Sequence, residues 1–394
     1  MFEGPAHPYR SERVSGTQDP IMQLLRAIER PEGTLDLSQG VPFFTPPEGA
    51  LKRCLSEPGS VSRYGPDQGD RDLRVALSEK MFRSNGIRVD PERELMVTAG
   101  ANMAFSLVIA TVCDIGDEVV LLDPYYFNHR MALDILGVRA VHVDTGKDYL
   151  PVAAGISDAL SERTRAVVMV DPNNPTGAAY PEKTVREISE LCAERGLHLI
   201  SDETYEDFVY EGRHISPGSL GIDGLSSITI FSFSKGYGMT GWRLGYLSYP
   251  DELHEGLMRV QDTFVICPNR ASQRLGLDML SSFELRSSPY FKVFERNRDA
   301  VNRWLSQMRD VVEAPRTNGA FYSLPVLGSD PRPGDPLGLV EEVLKRCSVL
   351  LVPGFPFGLH DRPALRLSFG NVSTVDLELA LERLSEGLPD LLRG

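Results

Sequence analysis

The sequence predicts an α/β protein in which a large domain with a mostly parallel central sheet is joined to a small α+β domain. Three observations carry that reading. From about Asp90 to Tyr249, short apolar runs of strand length alternate with helical patterns, as a parallel sheet with crossover helices requires. The chain has 394 residues, 42% of them apolar, enough for two or three packed units or for one large and one small. Its two ends carry longer helical segments, such as LVEEVLKRC and DLELALERLSEGL, and fewer strand-like runs. The division that follows puts 1–46 in an N-terminal arm and part of the small domain, 47–280 in the large domain, and 281–394 in the remainder of the small domain.

In chain order the strand-like runs include ELMVT (94–98), EVVLLD (118–123), AVVMV (166–170), HLIS (198–201), SITIFSF (227–233) and RLGYLS (243–248). Between them lie helical patterns such as NMAFSLVIATVC (102–113) and EKTVREISELCAERG (182–196). The second places Gly196 where a helix stops. The Pro-, Gly- and Asp-rich segment LGSDPRPGDP (327–336) reads as a surface loop.

Composition narrows the function classes. With 41 Lys+Arg against 55 Asp+Glu, the net charge of −14 repels a phosphate backbone, so nucleic acid is excluded as the expected partner. Cys54, Cys113, Cys192, Cys267 and Cys347 lie far apart with no Cys-x-x-Cys pair and read as reduced thiols of a cytoplasmic protein. The start, MFEGPAHPYRSERV, has charge and proline where a signal peptide needs an apolar run, and no stretch approaches the 18 apolar residues of a membrane span. The seven histidines show no metal-ligand spacing; His142 and His198 sit in apolar runs and read as core residues.

Gly236-Tyr237-Gly238-Met239-Thr240-Gly241 matches a dinucleotide fingerprint after a strand, but the run RLGYLS follows at once and leaves no room for the helix that such a fingerprint opens. The flanking residues say more. Ser232-Phe233-Ser234-Lys235 precedes these glycines, and Gly241-Trp242-Arg243-Leu244-Gly245 closes them. A lysine just beyond a buried strand can be poorly solvated, which makes its neutral, nucleophilic form accessible toward an aldehyde. The arginine and the two serine hydroxyls supply the donors that a phosphate monoester needs. Lysine and phosphate site together suggest pyridoxal phosphate.

That signature resembles the cofactor-lysine motif of the class I/II aminotransferases, which are pyridoxal-phosphate-dependent transferases of fold type I. Further motifs similar to the family's stand in its order: Gln39-Gly40-Val41-Pro42, Tyr64 to Gly69 with Leu73-Arg74, Thr98-Ala99-Gly100-Ala101-Asn102, Pro172 to Gly177, Asp202-Glu203-Thr204-Tyr205 and Arg366-Leu367-Ser368. The resemblance implies that Lys235 carries the cofactor and moves the substrate proton, and that Asp202 faces the pyridine nitrogen. It also implies that Tyr205 and Asn174 bond the ring's phenolic oxygen and that Tyr126 stacks on the ring, Tyr125 being one position away. By the same resemblance, Gly100, Ala101, Asn102, Ser232, Ser234 and Arg243 are expected to hold the phosphate, joined by Tyr64 from the partner of a homodimer with shared active sites. The resemblance likewise assigns Gly40, Asn174 and Arg366 to the substrate, with Arg366 expected to grip its α-carboxylate.

The activity implied is ping-pong transfer of an amino group from an L-amino acid to a 2-oxo acid, with no metal and no membrane involved. Elimination, cyclisation or replacement on the same cofactor is the alternative, and a non-catalytic regulator a remote one. Aspartate-preferring members of the subgroup that the chain resembles often place a lysine where Asn102 stands. Here the presumed entrance offers Phe43, Phe44, Tyr126, Phe127, Phe264 and Tyr322, so an aromatic or medium-length apolar side chain is expected.

Overall fold

Seven runs of the chain pair into one sheet because most of them carry an apolar stretch that is buried at nearly every position and finds cover on both faces. In the computed structural model, which describes residues 11–393 apart from 57, 330 and 333 and from the side chains of 58 and 60, these strands are β1 (Leu95–Thr98), β2 (Glu118–Asp123), β3 (Arg139–Asp144), β4 (Thr164–Val170), β5 (His198–Asp202), β6 (Ser226–Ser232) and β7 (Gly245–Ser248). Positions 1–10 of the N-terminal stretch read for a targeting signal, and positions 330 and 333 of the Pro-rich loop, lie outside the described residues. The order across the sheet is β1-β7-β6-β5-β4-β2-β3. β7 is antiparallel to both of its neighbours and the other pairings are parallel. The link from β6 to β7 holds only the turn of helix Phe233–Gly236 and the 3-10 turn Thr240–Trp242. That is too little for a crossover helix, so the chain doubles back.

Alternate residues of the strands feed two cores. Val119, Leu121, Val168, Ile200, Ile230 and Leu247 pack with Phe105 and Val108 of the helix Ala101–Val112 on one face. Val120, Val167, Met169 and Leu199 pack with Val185 and Ile188 of the helix Glu182–Arg195 on the other. Gly196 ends that helix at φ +64, as its place in the sequence predicts. β3 is the strand absent from the sequence reading. It lies at the sheet's edge with a half-exposed pattern, and its sequence RAVHVD hides the apolar alternation behind Arg139, His142 and Asp144.

A further core draws Ile21, Leu25 and Leu37 together with residues between Leu285 and Leu391. Its antiparallel strands Tyr322–Ser323, Val352–Pro353 and Leu365–Ser368 carry side chains to the edge of the large sheet. There Val170, Asp202 and Ser232 mark the C-terminal ends of β4, β5 and β6. At that edge the open ends of parallel strands leave a crevice for a ligand.

Among the described residues no helix is long and apolar enough to cross a membrane. All five cysteines are free, three of them buried.

Candidate active site

A cavity of about 250 Å³ opens at this edge. Gly40, Ala101, Asn102, Tyr126, Asn174, Asp202, Tyr205, Ser232, Ser234, Lys235, Arg243 and Arg366 all line it, although they come from seven separate stretches of sequence. Gly100 stands directly behind it. Its φ of +88 turns the chain from β1 into the helix Ala101–Val112, and a Cβ there would collide with the Arg243 guanidinium. The approach is close on the other side too, since a Cβ on Gly245 would meet the Gly100 carbonyl carbon at 2.8 Å and the Ala101 nitrogen at 2.9 Å.

This packing collects donors at one end of the cavity. The first N–H groups of the helix have no intrahelical partner and favour an anion. Arg243 Nη1 donates to the Ser234 hydroxyl at 3.3 Å and to the Thr240 carbonyl at 2.9 Å. Arg243 and Asn102 are exposed, so the anion-binding end faces out of the chain.

At the other end Asp202, 5% exposed, meets His129 Nε2 at 3.1 Å and accepts the Thr204 N–H at 3.1 Å. Burial alone pushes its carboxyl up, but the hydrogen bonds from His129 and Thr204 outweigh it and hold the group below the usual aspartate range.

Between the two ends, partly buried Lys235 donates from Nζ to the Gly40 carbonyl at 2.5 Å. Desolvation, then the charges of Arg366 and Arg243, push its ammonium down to about 7 against the pull of Asp202. A substantial neutral amine is therefore present at neutral pH.

Arg366 bridges the two domains. Its Nη1 donates to Asn174 Oδ1 at 3.0 Å and its Nη2 to the Ser38 carbonyl at 2.8 Å. Its Nε is buried without a partner, an open donor beside the cavity. Asn174 Nδ2 in turn reaches the Tyr205 hydroxyl at 3.4 Å.

A cation cluster with hydroxyls and a helix start at one end, a held carboxylate at the other and an amine of lowered pKa between them form a donor set that fits pyridoxal phosphate. A group of three or more metal-ligating side chains is absent among the described residues.

Not every sequence candidate arrives here. Tyr64 is 79% exposed and away from the cavity. Phe43 and Phe44 pack with Tyr290 and Phe294, and Phe264 is an exposed surface ring. None of these three phenylalanines lines the cavity, whereas Tyr126, Phe127 and Tyr322 do. Tyr125 is buried in the core beside His142. His142 itself bonds Asp123 at 2.9 Å and lies 2.7 Å from Arg130, a surface network and not a core.

His129 is the residue that the sequence reading missed. It stacks on Phe105 at 4.1 Å and meets Tyr126 edge-on at 5.2 Å. The available signal was its place four residues before Leu133, on the buried side of the helix Phe127–Leu136.

The sequence profile of the family described as Aminotransferase class I and II matches residues 32–384. An aromatic aminotransferase of Arabidopsis thaliana is 35% identical over 396 residues, 97% of this chain and 97% of that one. An aspartate/prephenate aminotransferase of Thermus thermophilus is 33% identical over 362 residues, 89% of this chain and 90% of its own. Among solved structures, an alanine aminotransferase from Pyrococcus furiosus has a TM-score of 0.87 at 29% identity, covering 97% of this chain and 100% of that one.

The hydrogen bond to Asp202 yields a prediction. In the apoprotein His129→Ala leaves burial opposed only by Thr204, so the Asp202 pKa should rise, as read by carbon-13 NMR of labelled aspartates. His129→Gln, which restores a donor, should recover part of the shift. An Asp202 resonance that titrates alike in wild type and His129→Ala contradicts this account.

Proposed function

The chain belongs to the class I and II aminotransferases, and from that premise we propose that it transfers the amino group of an aromatic or medium-length apolar L-amino acid to a 2-oxo acid, with Lys235 as its cofactor lysine. The enzyme is pyridoxal-phosphate-dependent, as its family is. The observation that carries the assignment of Lys235 is its amine, desolvated between two arginines and opposite Asp202.

When bound, the cofactor supplies an electron sink for the carbanion left by loss of the substrate's Cα proton. The chain's own residues do the rest. Lys235 Nζ anchors the cofactor and, once freed, accepts the Cα proton and hands it on. Asp202 would hold a negative charge toward the ring nitrogen, Tyr205 and Asn174 would donate to the phenolic oxygen, and Tyr126 would cover the ring. Ser232, Ser234, Arg243 and the helix start at Gly100, Ala101 and Asn102 bind the phosphate. Arg366 offers paired N–H groups to the α-carboxylate, with Gly40 and Asn174 beside it.

The substrate preference rests on charge. Lys235, Arg243 and Arg366 are the cations among the described residues that line the cavity, and each already has a task. A second carboxylate would lose its hydration without a partner, whereas Met22, Val41, Tyr126, Phe127 and Tyr322 offer apolar surface to a large side chain.

The exposed Tyr64 and the outward-facing Arg243 support a homodimer in which Tyr64 completes the partner's phosphate site. Five free thiols fit a reducing, cytoplasmic setting.

Three measurements test this reading. Borohydride reduction should fix pyridoxal phosphate on Lys235, and capture by the apoenzyme should rise with pH around a midpoint near 7, because only the neutral amine attacks. An adduct on another lysine refutes the assignment. In half-reactions, kcat/KM for phenylalanine, tyrosine, methionine or leucine should exceed that for aspartate by roughly tenfold to a hundredfold, the worth of burying one apolar side chain; aspartate as the best donor overturns the preference. Hybrids of Lys235→Ala with Tyr64→Ala chains should regain activity through the one site free of both lesions. Verified hybrids without recovery argue against sharing.

A further inference from the structure

Tyr322 is a wall residue whose ring offers surface to the substrate but whose hydroxyl has so far no task. It stands opposite Ser368 in the strand pair that also carries Arg366. Thr317 Oγ1 donates to its carbonyl at 2.7 Å. A Cβ on Gly177 would strike that same carbonyl, and one on Gly40 would strike the Tyr322 hydroxyl. Held in this way, the hydroxyl lies 2.7 Å from that of Tyr205. The Arg366 guanidinium sits over the Tyr322 ring, 4.7 Å from its centroid.

Counting donors and acceptors sets the direction of the Tyr322–Tyr205 bond. Tyr322 is 0% exposed, and Tyr205 is the one hydrogen-bond partner of its hydroxyl among the described residues. Were Tyr205 the donor, the Tyr322 proton would be buried without an acceptor, an arrangement that folded proteins avoid. With Tyr322 as donor, the Tyr205 oxygen accepts from both Tyr322 and Asn174, and its own proton is left to point into the cavity. The guanidinium over the ring favours the same direction by making Tyr322 the more acidic phenol. Burial pushes Tyr322 up to about 12 with Arg366 opposing, while burial and the Tyr322 contact drive Tyr205 well above its ordinary value.

We propose that Tyr322 is a positioning residue that turns the Tyr205 proton toward the cofactor's phenolic oxygen and links the strength of that hydrogen bond to the charge on Arg366. The proposal rests on the reading of this cavity as the pyridoxal phosphate site. When a carboxylate docks on Arg366, the field over the Tyr322 ring is offset. Tyr322 then donates less strongly, and Tyr205 weakens in turn. The charged and titratable groups that also face the pair are Lys235, 5.9 Å from the Tyr205 ring centroid, Tyr126, Asp202 and, at the far end, Arg243.

The test is a pH titration of the visible absorbance of the holoenzyme, which reports the proton shared between the Lys235 nitrogen and the phenolic oxygen. Tyr322→Phe keeps the ring and removes the hydroxyl; it should raise the midpoint by about half to one pH unit, the worth of one hydrogen bond. Saturating 3-phenylpropanoate, a carboxylate with no amine to react, should raise the wild-type midpoint and raise that of Tyr322→Phe by less. In a Tyr205→Phe background, adding Tyr322→Phe should shift nothing further, because Tyr322 acts through Tyr205.

A midpoint that falls or stays put, or a shift that adds in full in the double variant, overturns the proposal. Borohydride mapping of the same sample separates the two levels of inference. An adduct away from Lys235 removes the premise, whereas an adduct on Lys235 with an unmoved midpoint defeats the Tyr322 role alone.

Discussion

The energetic cost of holding a lysine amine out of water beside two arginines is the constraint around which the rest of the site is arranged. Desolvation and like charge both disfavour the ammonium of Lys235, and a protein without use for a neutral amine would gain by exposing it. Here the amine is kept in place by the Gly40 carbonyl and by a short helix whose first residue, Phe233, is fully buried. The backbone cannot relax away, because on one side it continues β6 and on the other it must return as β7.

The antiparallel strand β7 matters for that reason. A crossover helix after β6 would carry the chain over one face of the sheet and take Arg243 with it. By doubling back, the chain returns through Arg243, in a left-handed conformation at φ +50, to Gly245, which faces Thr98 of β1 on one side and Ser232 of β6 on the other. Close packing of Gly245 against Gly100 and Ala101 then sets the helix start beside the arginine. Arginine and helix N-terminus share one end of the cavity, with the lysine next along, through a single topological choice.

The opposite wall depends on the second domain. Arg366 reaches across to Asn174 of the large domain and Ser38 of the N-terminal segment, so three distant parts of the chain converge on one guanidinium. A buried arginine needs most of its donors occupied. The unpartnered Nε is the exception, left on a residue that lines the cavity. Asp202 follows the same logic in reverse. His129 and Thr204 offset a burial that alone would push the carboxyl up, and the anion survives in an interior with little water.

Local chemistry made much of this legible in the sequence alone. Strand runs bounded by turns gave six of the seven sheet strands, since a strand buried on both faces shows its apolar run directly. The motif around Lys235 could be read because its lysine, serines, arginine and glycines lie within fourteen consecutive residues, Ser232 to Gly245. Tertiary structure decided what depends on distant partners. β3 owes its place to pairing with β2 at an edge, a position that tolerates polar residues. Which of Tyr125 and Tyr126 faces the cavity depends on how the chain enters the helix after β2. His129 acquires its meaning only from Asp202, 73 positions later. Tyr322 likewise had looked like one aromatic among six. Its task arises where two domains meet, because a hydroxyl's direction is set by the donors and acceptors around it, and those belong to other parts of the chain.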